Sequence, residues 1–151
     1  DPRTNVVTVA YLAVVPDVGT IAAGSDAADA RLWPVGDVLS GAVDLAFDHH
    51  RIVSDALDRV ARDLELTGLA PAFLGETFTL TELQQVYEAV WGEALDTPNF
   101  RRSLTADPAQ VFVEPTGERA ASSPRGGRPP ELFRPGPAWE DGSPIRRTRR
   151  R

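Results

Sequence analysis

The chain has 151 residues, 42% of them hydrophobic and 25% charged, with a formal charge of −6. That balance fits a soluble globular protein of one or two domains with a modest core. It contains no cysteine, which excludes disulfide scaffolds, thiolate metal sites and cysteine nucleophiles.

Residues 3–16, "RTNVVTVAYLAVVP", contain a run rich in β-branched residues, apolar on both alternating faces and stopped by Pro16. This predicts a buried strand, too short to cross a membrane. A turn follows, and "SDAADARLWPV" predicts a second strand ending near Trp33. "GDVLSGAVDLAF" predicts a loop or short helix. A helix is then expected from Asp48 as N-cap, with Phe47 and Ile52 at the positions of a hydrophobic staple. Its apolar stripe is Ile52, Val53, Ala56, Leu57, Val60 and Leu64, and Gly68 ends it.

"FTLTELQQVYEAVWG" carries the sharpest local signal. Thr79 and Glu82 stand as a capping box, Phe78 and Leu83 as a staple, and Leu83, Val86, Tyr87, Val90 and Trp91 as the buried stripe before Gly92. Only four residues separate Gly92 from Thr97, which stands as a second N-cap with Pro98 at the first helical position. Phe100 and Leu104 lie one turn apart and are expected to point inward. Beyond Asp107-Pro108, "QVFVE" predicts a strand, "PTGE" a turn and "PELFR" a returning strand, with the loop "RAASSPRGGRPP" between them. From Gly136 to Arg151 no apolar period is visible, which predicts a disordered Arg-rich tail.

Charge is unevenly spread. Residues 1–100 hold 5 arginines against 16 acids, and residues 101–151 hold 11 arginines against 6 acids. Most of that asymmetry sits in "IRRTRRR", so global charge alone does not identify a nucleic-acid binder. There is no methionine and no lysine. The missing methionine suggests a processed chain or a piece of a longer protein.

Helix, helix, short turn, helix, then two strands joined by a loop is the order of a winged helix-turn-helix. In that fold the third helix enters the major groove and the strand loop flanks it. The expected DNA-binding set is Thr97, Asn99, Arg101, Arg102 and Ser103 on the third helix, with Arg119, Arg125 and Arg128 on the wing. Taken alone, Arg101-Arg102 also fits a solvated helix face.

Residues 74–104 resemble the helix-turn-helix core of the Nudix-related transcriptional regulators of NAD metabolism, the NrtR-like proteins. They also resemble two-domain Nudix hydrolases of the ADP-ribose pyrophosphatase kind. The resemblance is carried by Phe78 to Leu80, Leu83-Gln84, Val86 to Glu88 and Asn99 to Arg102. "AFDHHRI" (46–52) is similar to the family's domain junction, "RPPELFRP" (128–135) to its last wing strand, and the upstream segments to later strands of its Nudix domain. The resemblance implies an α+β chain: a partial Nudix α/β/α sandwich over residues 1–47, a winged helix-turn-helix over 48–135 and the tail over 136–151. It implies double-stranded DNA as partner, ADP-ribose or a related nucleotide as effector of the complete Nudix domain, a homodimer, and a cytoplasmic location without membrane contact.

The Nudix box needs an Arg-Glu and a Glu-Glu pair, because clustered carboxylates hold the divalent metal. Neither dipeptide occurs in this chain. No cofactor is therefore expected here, Mg²⁺ being a matter for a longer parent, and any hydrolase activity would lie outside these residues. The competing reading is a Nudix hydrolase whose box lies upstream. Asp48-His49-His50 reads as capping and packing, no metal site or catalytic residue is expected, and Trp33, Trp91, Phe100 and Phe112 read as core.

Overall fold

The computed structural model describes residues 9–22, 30–121 and 128–147. The chain divides into two compact units, residues 1–57 and 58–151. Among the described residues the elements are helices α1 (Val35–Leu39), α2 (His49–Leu66), α3 (Leu80–Trp91) and α4 (Thr97–Thr105), then strands β1 (Val113–Arg119) and β2 (Glu131–Pro135). Short 3-10 turns lie at Ala70–Phe73 and Pro137–Asp141. The mixture of helices with one small antiparallel sheet is α+β, as expected.

In the first unit the expected strand does not form over its described part, residues 5–8 lying outside the described residues. Residues 9–16 carry no regular secondary structure, and Val9 and Tyr11 are 70% and 93% exposed. A strand exists only by pairing, and no described segment lies alongside this one to complete a ladder. Of the second expected strand, residues 25–29 lie outside the described residues, and 30–34 are irregular. Trp33 is exposed rather than core, with the Arg31 guanidinium 3.9 Å from its ring centre. The staple at the start of α2 also fails. Phe47 has a left-handed φ of 54° and is 85% exposed, so it cannot fold back on Ile52. His49 and His50 are both exposed, and His50 Nε2 sits 3.4 Å from the Leu39 carbonyl.

The second unit is built around α3. Thr79 caps it as foreseen: its hydroxyl accepts from the Glu82 amide, and the Glu82 carboxylate accepts from the Thr79 amide at 2.7 Å. Leu83, Tyr87 and Trp91 form the buried stripe, with Val86 and Val90 half-buried beside it. Tyr87 sits edge-on to both Trp91 and Phe100. Each fully buried large side chain here contributes about 1.5–3 kcal/mol relative to exposure.

β1 and β2 pair antiparallel, with Glu114 opposite Arg134 and Pro115 opposite Phe133. The "PTGE" segment is not a turn: it continues β1 through an irregularity between Pro115 and Arg119. Gly117, at φ 80°, allows the bulge, and the Thr116 hydroxyl holds the strands together by donating to the Leu132 carbonyl. The wing is tied to α3 by an isolated bridge between Phe78 and Phe133.

The tail expectation is overturned for residues 136–147. Trp139 is buried against Phe112, and its indole N–H donates to the Phe112 carbonyl. Ser143 and Ile145 are buried, the Tyr87 and Ser143 hydroxyls lie 2.8 Å apart, and Arg147 pairs with Glu93. One tryptophan and one isoleucine anchor the strap, too few to show as a periodic pattern. Residues 148–151 lie outside the described residues.

Candidate nucleic-acid interface

The relation of α3 to α4 is set by the turn between them. Gly92 caps α3 in the left-handed conformation at φ 67°. Glu88 then reaches past it, its Oε1 accepting from the Leu95 amide at 2.9 Å and from Gln84 Nε2 at 2.8 Å. Gln84 also donates to the Leu95 carbonyl. The Leu95 amide, and after it the Gln84 amide group, hold the Glu88 carboxyl below the usual carboxylate range. Sequence reasoning missed this pair, although both belong to the motif that carries the resemblance.

α4 starts one residue earlier than expected. Its N-cap is Asp96, whose carboxylate accepts from the Asn99 amide, so Thr97 is the first helical residue rather than the cap. An aspartate oxygen at that position satisfies an orphan amide and favours the positive helix end. Phe100 and Leu104 are buried as foreseen, at 3% and 2% exposure. That fixes the rotation of the helix and leaves Thr97, Asn99, Arg101 and Arg102 exposed. Ser103 is half-buried, and its hydroxyl donates back to the Asn99 carbonyl.

The adjacent arginines face different surroundings. Arg102 donates to Asn99 Oδ1 at 3.0 Å, one turn back along α4. Arg101 instead lines a cleft of about 400 Å³ between α3, α4 and the wing. Arg119, at the end of β1, and Arg128, ahead of β2, line the same cleft, with Thr79, Thr81 and Glu131 among its other polar residues. Arg119 is steadied by donating to the Pro129 carbonyl at 2.8 Å. Three of the expected residues, far apart in sequence, thus share one concavity. Arg125 lies outside the described residues. The cleft was not legible beforehand, since Thr79 showed only as a helix cap and Thr81 carried no signal.

Arginines elsewhere in this unit are engaged differently. Arg59 pairs with Asp63, Arg134 with Glu114 and Arg147 with Glu93. Among the described residues, no carboxylate lies within ion-pair distance of Arg101, Arg102, Arg119 or Arg128. Their charge is available to a ligand. No helix among the described residues is long and apolar enough to cross a membrane.

Known proteins match this arrangement. The sequence pattern of the NrtR DNA-binding winged helix domain matches residues 71–134. The ADPR responsive transcriptional repressor NtrR of Acinetobacter baylyi is 37% identical over 92 residues, covering 61% of this chain and 34% of that protein. The crystal structure of Shewanella oneidensis NrtR complexed with a 27mer DNA superposes with a TM-score of 0.59 at 31% identity, over 73% of this chain and 47% of that one. Another crystal structure of Shewanella oneidensis NrtR gives a TM-score of 0.58 at 30% identity, over 76% and 49%. The chain therefore spans about a third of the curated relative and about half of these solved chains. By sequence and by fold, residues 71–134 match the NrtR DNA-binding winged helix domain, and the chain is similar to NrtR proteins over that part of their length.

Proposed function

We propose that this chain is the DNA-binding part of a nucleotide-responsive transcriptional regulator. The observation that carries the reading is the bare cationic surface made by α4 and the wing, in a unit whose relative has been crystallised with DNA. α4 enters the major groove and presents Asn99 and Arg102 to base edges, with the wing arginines beside it. An arginine fork pre-oriented by a neutral amide suits guanine, whose N7 and O6 both accept.

The solved relatives match more of the chain than the winged helix segment alone. Residues 1–47 we read, from their resemblance to later Nudix strands, as part of a Nudix domain, which in the complete protein takes ADP-ribose or a related nucleotide. The curated relative is described as ADPR responsive. Mg²⁺, if the complete protein uses it, belongs with a box outside these residues. The complete protein acts as a cytoplasmic homodimer, since helix-turn-helix regulators read paired half-sites.

The test is enrichment of duplexes from a random-sequence library on the 151-residue chain. The expected result is a shared sequence with two half-sites about one helical turn apart. An enriched pool with no shared sequence would overturn the reading. For the complete protein, ADP-ribose should lower affinity for the enriched duplex, and an unchanged affinity would remove the effector.

A further inference from the structure

We infer that the cleft between α3, α4 and the wing seats one DNA backbone phosphate, held jointly by Arg101, Arg119 and Arg128. The inference rests on the DNA-binding reading and adds to it a division of labour between two neighbouring arginines.

Three observations converge. First, the cleft brings together a guanidinium from α4 and two from the wing, segments that the chain separates by 17 residues or more, around a volume of about 400 Å³. A dianionic or monoanionic phosphate group is much smaller than that, so it can enter with its ester oxygens still pointing outward. Second, those three side chains have no described carboxylate within ion-pair distance, while Arg134, the residue after cleft-lining Phe133 on the same wing, is neutralised by Glu114 at 2.7 Å. Within the described wing, Arg134 is paired on its own sheet, while Arg119 and Arg128 at the cleft have no ion-pair partner. Third, Thr79 and Thr81 line the same cleft with hydroxyl-bearing side chains. The Thr79 hydroxyl is already engaged with Glu82, so Thr81, which is exposed, is the one free to add a neutral donor.

The ligand class follows from the lining. Glu131 also borders the cleft, leaving a net excess of two positive charges among its residues. That excess is more than enough to compensate the single negative charge of one phosphodiester. The remaining apolar lining, Leu80, Pro129, Pro130 and Phe133, offers no stack of donors for reading a base edge. A phosphate contact carries no sequence information but fixes register and orientation. Because this one would be gripped from α4 and from the wing together, it would lock both to the same point of the backbone. Arg102, held by Asn99 on another side of α4, is left for the bases.

The experiment uses the 151-residue chain and a duplex enriched on it from a random library. Single phosphates are replaced in turn by uncharged methylphosphonates, and affinity is measured for wild type, Arg101→Ala, Arg119→Ala, Arg128→Ala and, as a control, Arg62→Ala. All four positions are exposed, and thermal melting confirms that the variants fold. In the wild type and in Arg62→Ala, one methylphosphonate position should weaken binding about tenfold, as expected for losing hydrogen bonds to a charged group. Each of the three cleft variants should bind about tenfold more weakly than wild type and be insensitive to that same position, with a salt slope lower by about 1. If the three variants become insensitive at three different positions, the arginines make separate contacts and the shared seat is overturned. If they stay as sensitive as wild type everywhere, the cleft touches no phosphate and the inference is likewise overturned, while sequence-specific binding by wild type leaves the DNA-binding reading standing. Loss of sequence preference in the wild type itself overturns both.

Discussion

Phe78 and Phe133 exchange two backbone hydrogen bonds, at 2.9 Å and 2.8 Å, across 55 positions of sequence. This single bridge joins the residue before the Thr79 cap to the returning strand of the wing. It places the first turn of α3 beside β2 and so forms one wall of the arginine-lined cleft. Phe78 is 1% exposed and Phe133 packs against the same core. Phe78→Ala should therefore destabilise the domain by about 3–5 kcal/mol, read as a lowered urea midpoint with unchanged slope. A loss below 1 kcal/mol would mean that the bridge, not the ring, carries the junction.

The turn between α3 and α4 depends on an ionised carboxylate. Glu88 has its pKa lowered first by the Leu95 amide and then by Gln84. A depressed carboxyl adds stability above its unfolded value, near pH 4, and that contribution is lost as pH falls through the folded value. Glu88→Gln should therefore flatten the acid side of the stability profile, measured by urea unfolding between pH 3 and pH 7. An unaltered acid limb would show that the turn does not depend on this charge.

Tyr87 predicts the opposite behaviour at the alkaline end. Burial pushes its phenol above the usual range, with the Ser143 hydrogen bond and the Arg146 charge opposing that shift. The folded state keeps the proton that the unfolded chain releases near pH 10, so stability is full below that pH and falls as pH rises through it. Tyr87→Phe should remove much of this alkaline loss. At neutral pH it should cost only about 0.5–1.5 kcal/mol, because Ser143 keeps its bond with the Ile145 backbone. A variant as alkali-sensitive as wild type would place the titrating group elsewhere.

The strap from Gly136 to Arg147 should behave as part of the domain. Gly68 has no room for a side chain, since a Cβ there would run into the Trp139 carbonyl. Gly68→Ala should cost about 1–3 kcal/mol by displacing the strap. Deleting residues 145–151 removes buried Ile145 and the Arg147–Glu93 pair, so the melting temperature should fall. Deleting residues 148–151 should leave melting unchanged and remove only salt-sensitive, sequence-blind DNA affinity. Equal melting of both deletions would show that the strap does not hold the fold.

Asn99 offers a test of base reading that leaves the cleft alone. In Asn99→Asp the new carboxylate would face the Arg102 guanidinium and compensate its charge within α4. Discrimination between the enriched duplex and a scrambled one should narrow by about 1–3 kcal/mol, while the salt slope due to the cleft persists. Unchanged discrimination would remove Arg102 from the base edges.

The amphipathic helices were legible because their information is local. The Thr79–Glu82 box, Gly92, and the Leu83–Tyr87–Trp91 stripe each act within a turn or two of chain. Phe100 and Leu104 likewise fixed which face of α4 is buried, and so which residues are exposed. The expected strand failed over its described residues, 9–16, for the converse reason. Its propensity is real, but a strand is made by partners, and none is supplied by the described residues. Only the tertiary structure brought Arg101, Arg119 and Arg128 to one cleft, because long-range pairing through Phe78–Phe133 sets that distance. The helix rotation of about 100° between Arg101 and Arg102 implies that they differ, and only the structure showed which one lines the cleft and which bonds to Asn99. And only packing revealed that Trp139 and Ile145 close the core, since two isolated apolar residues have no period to betray them.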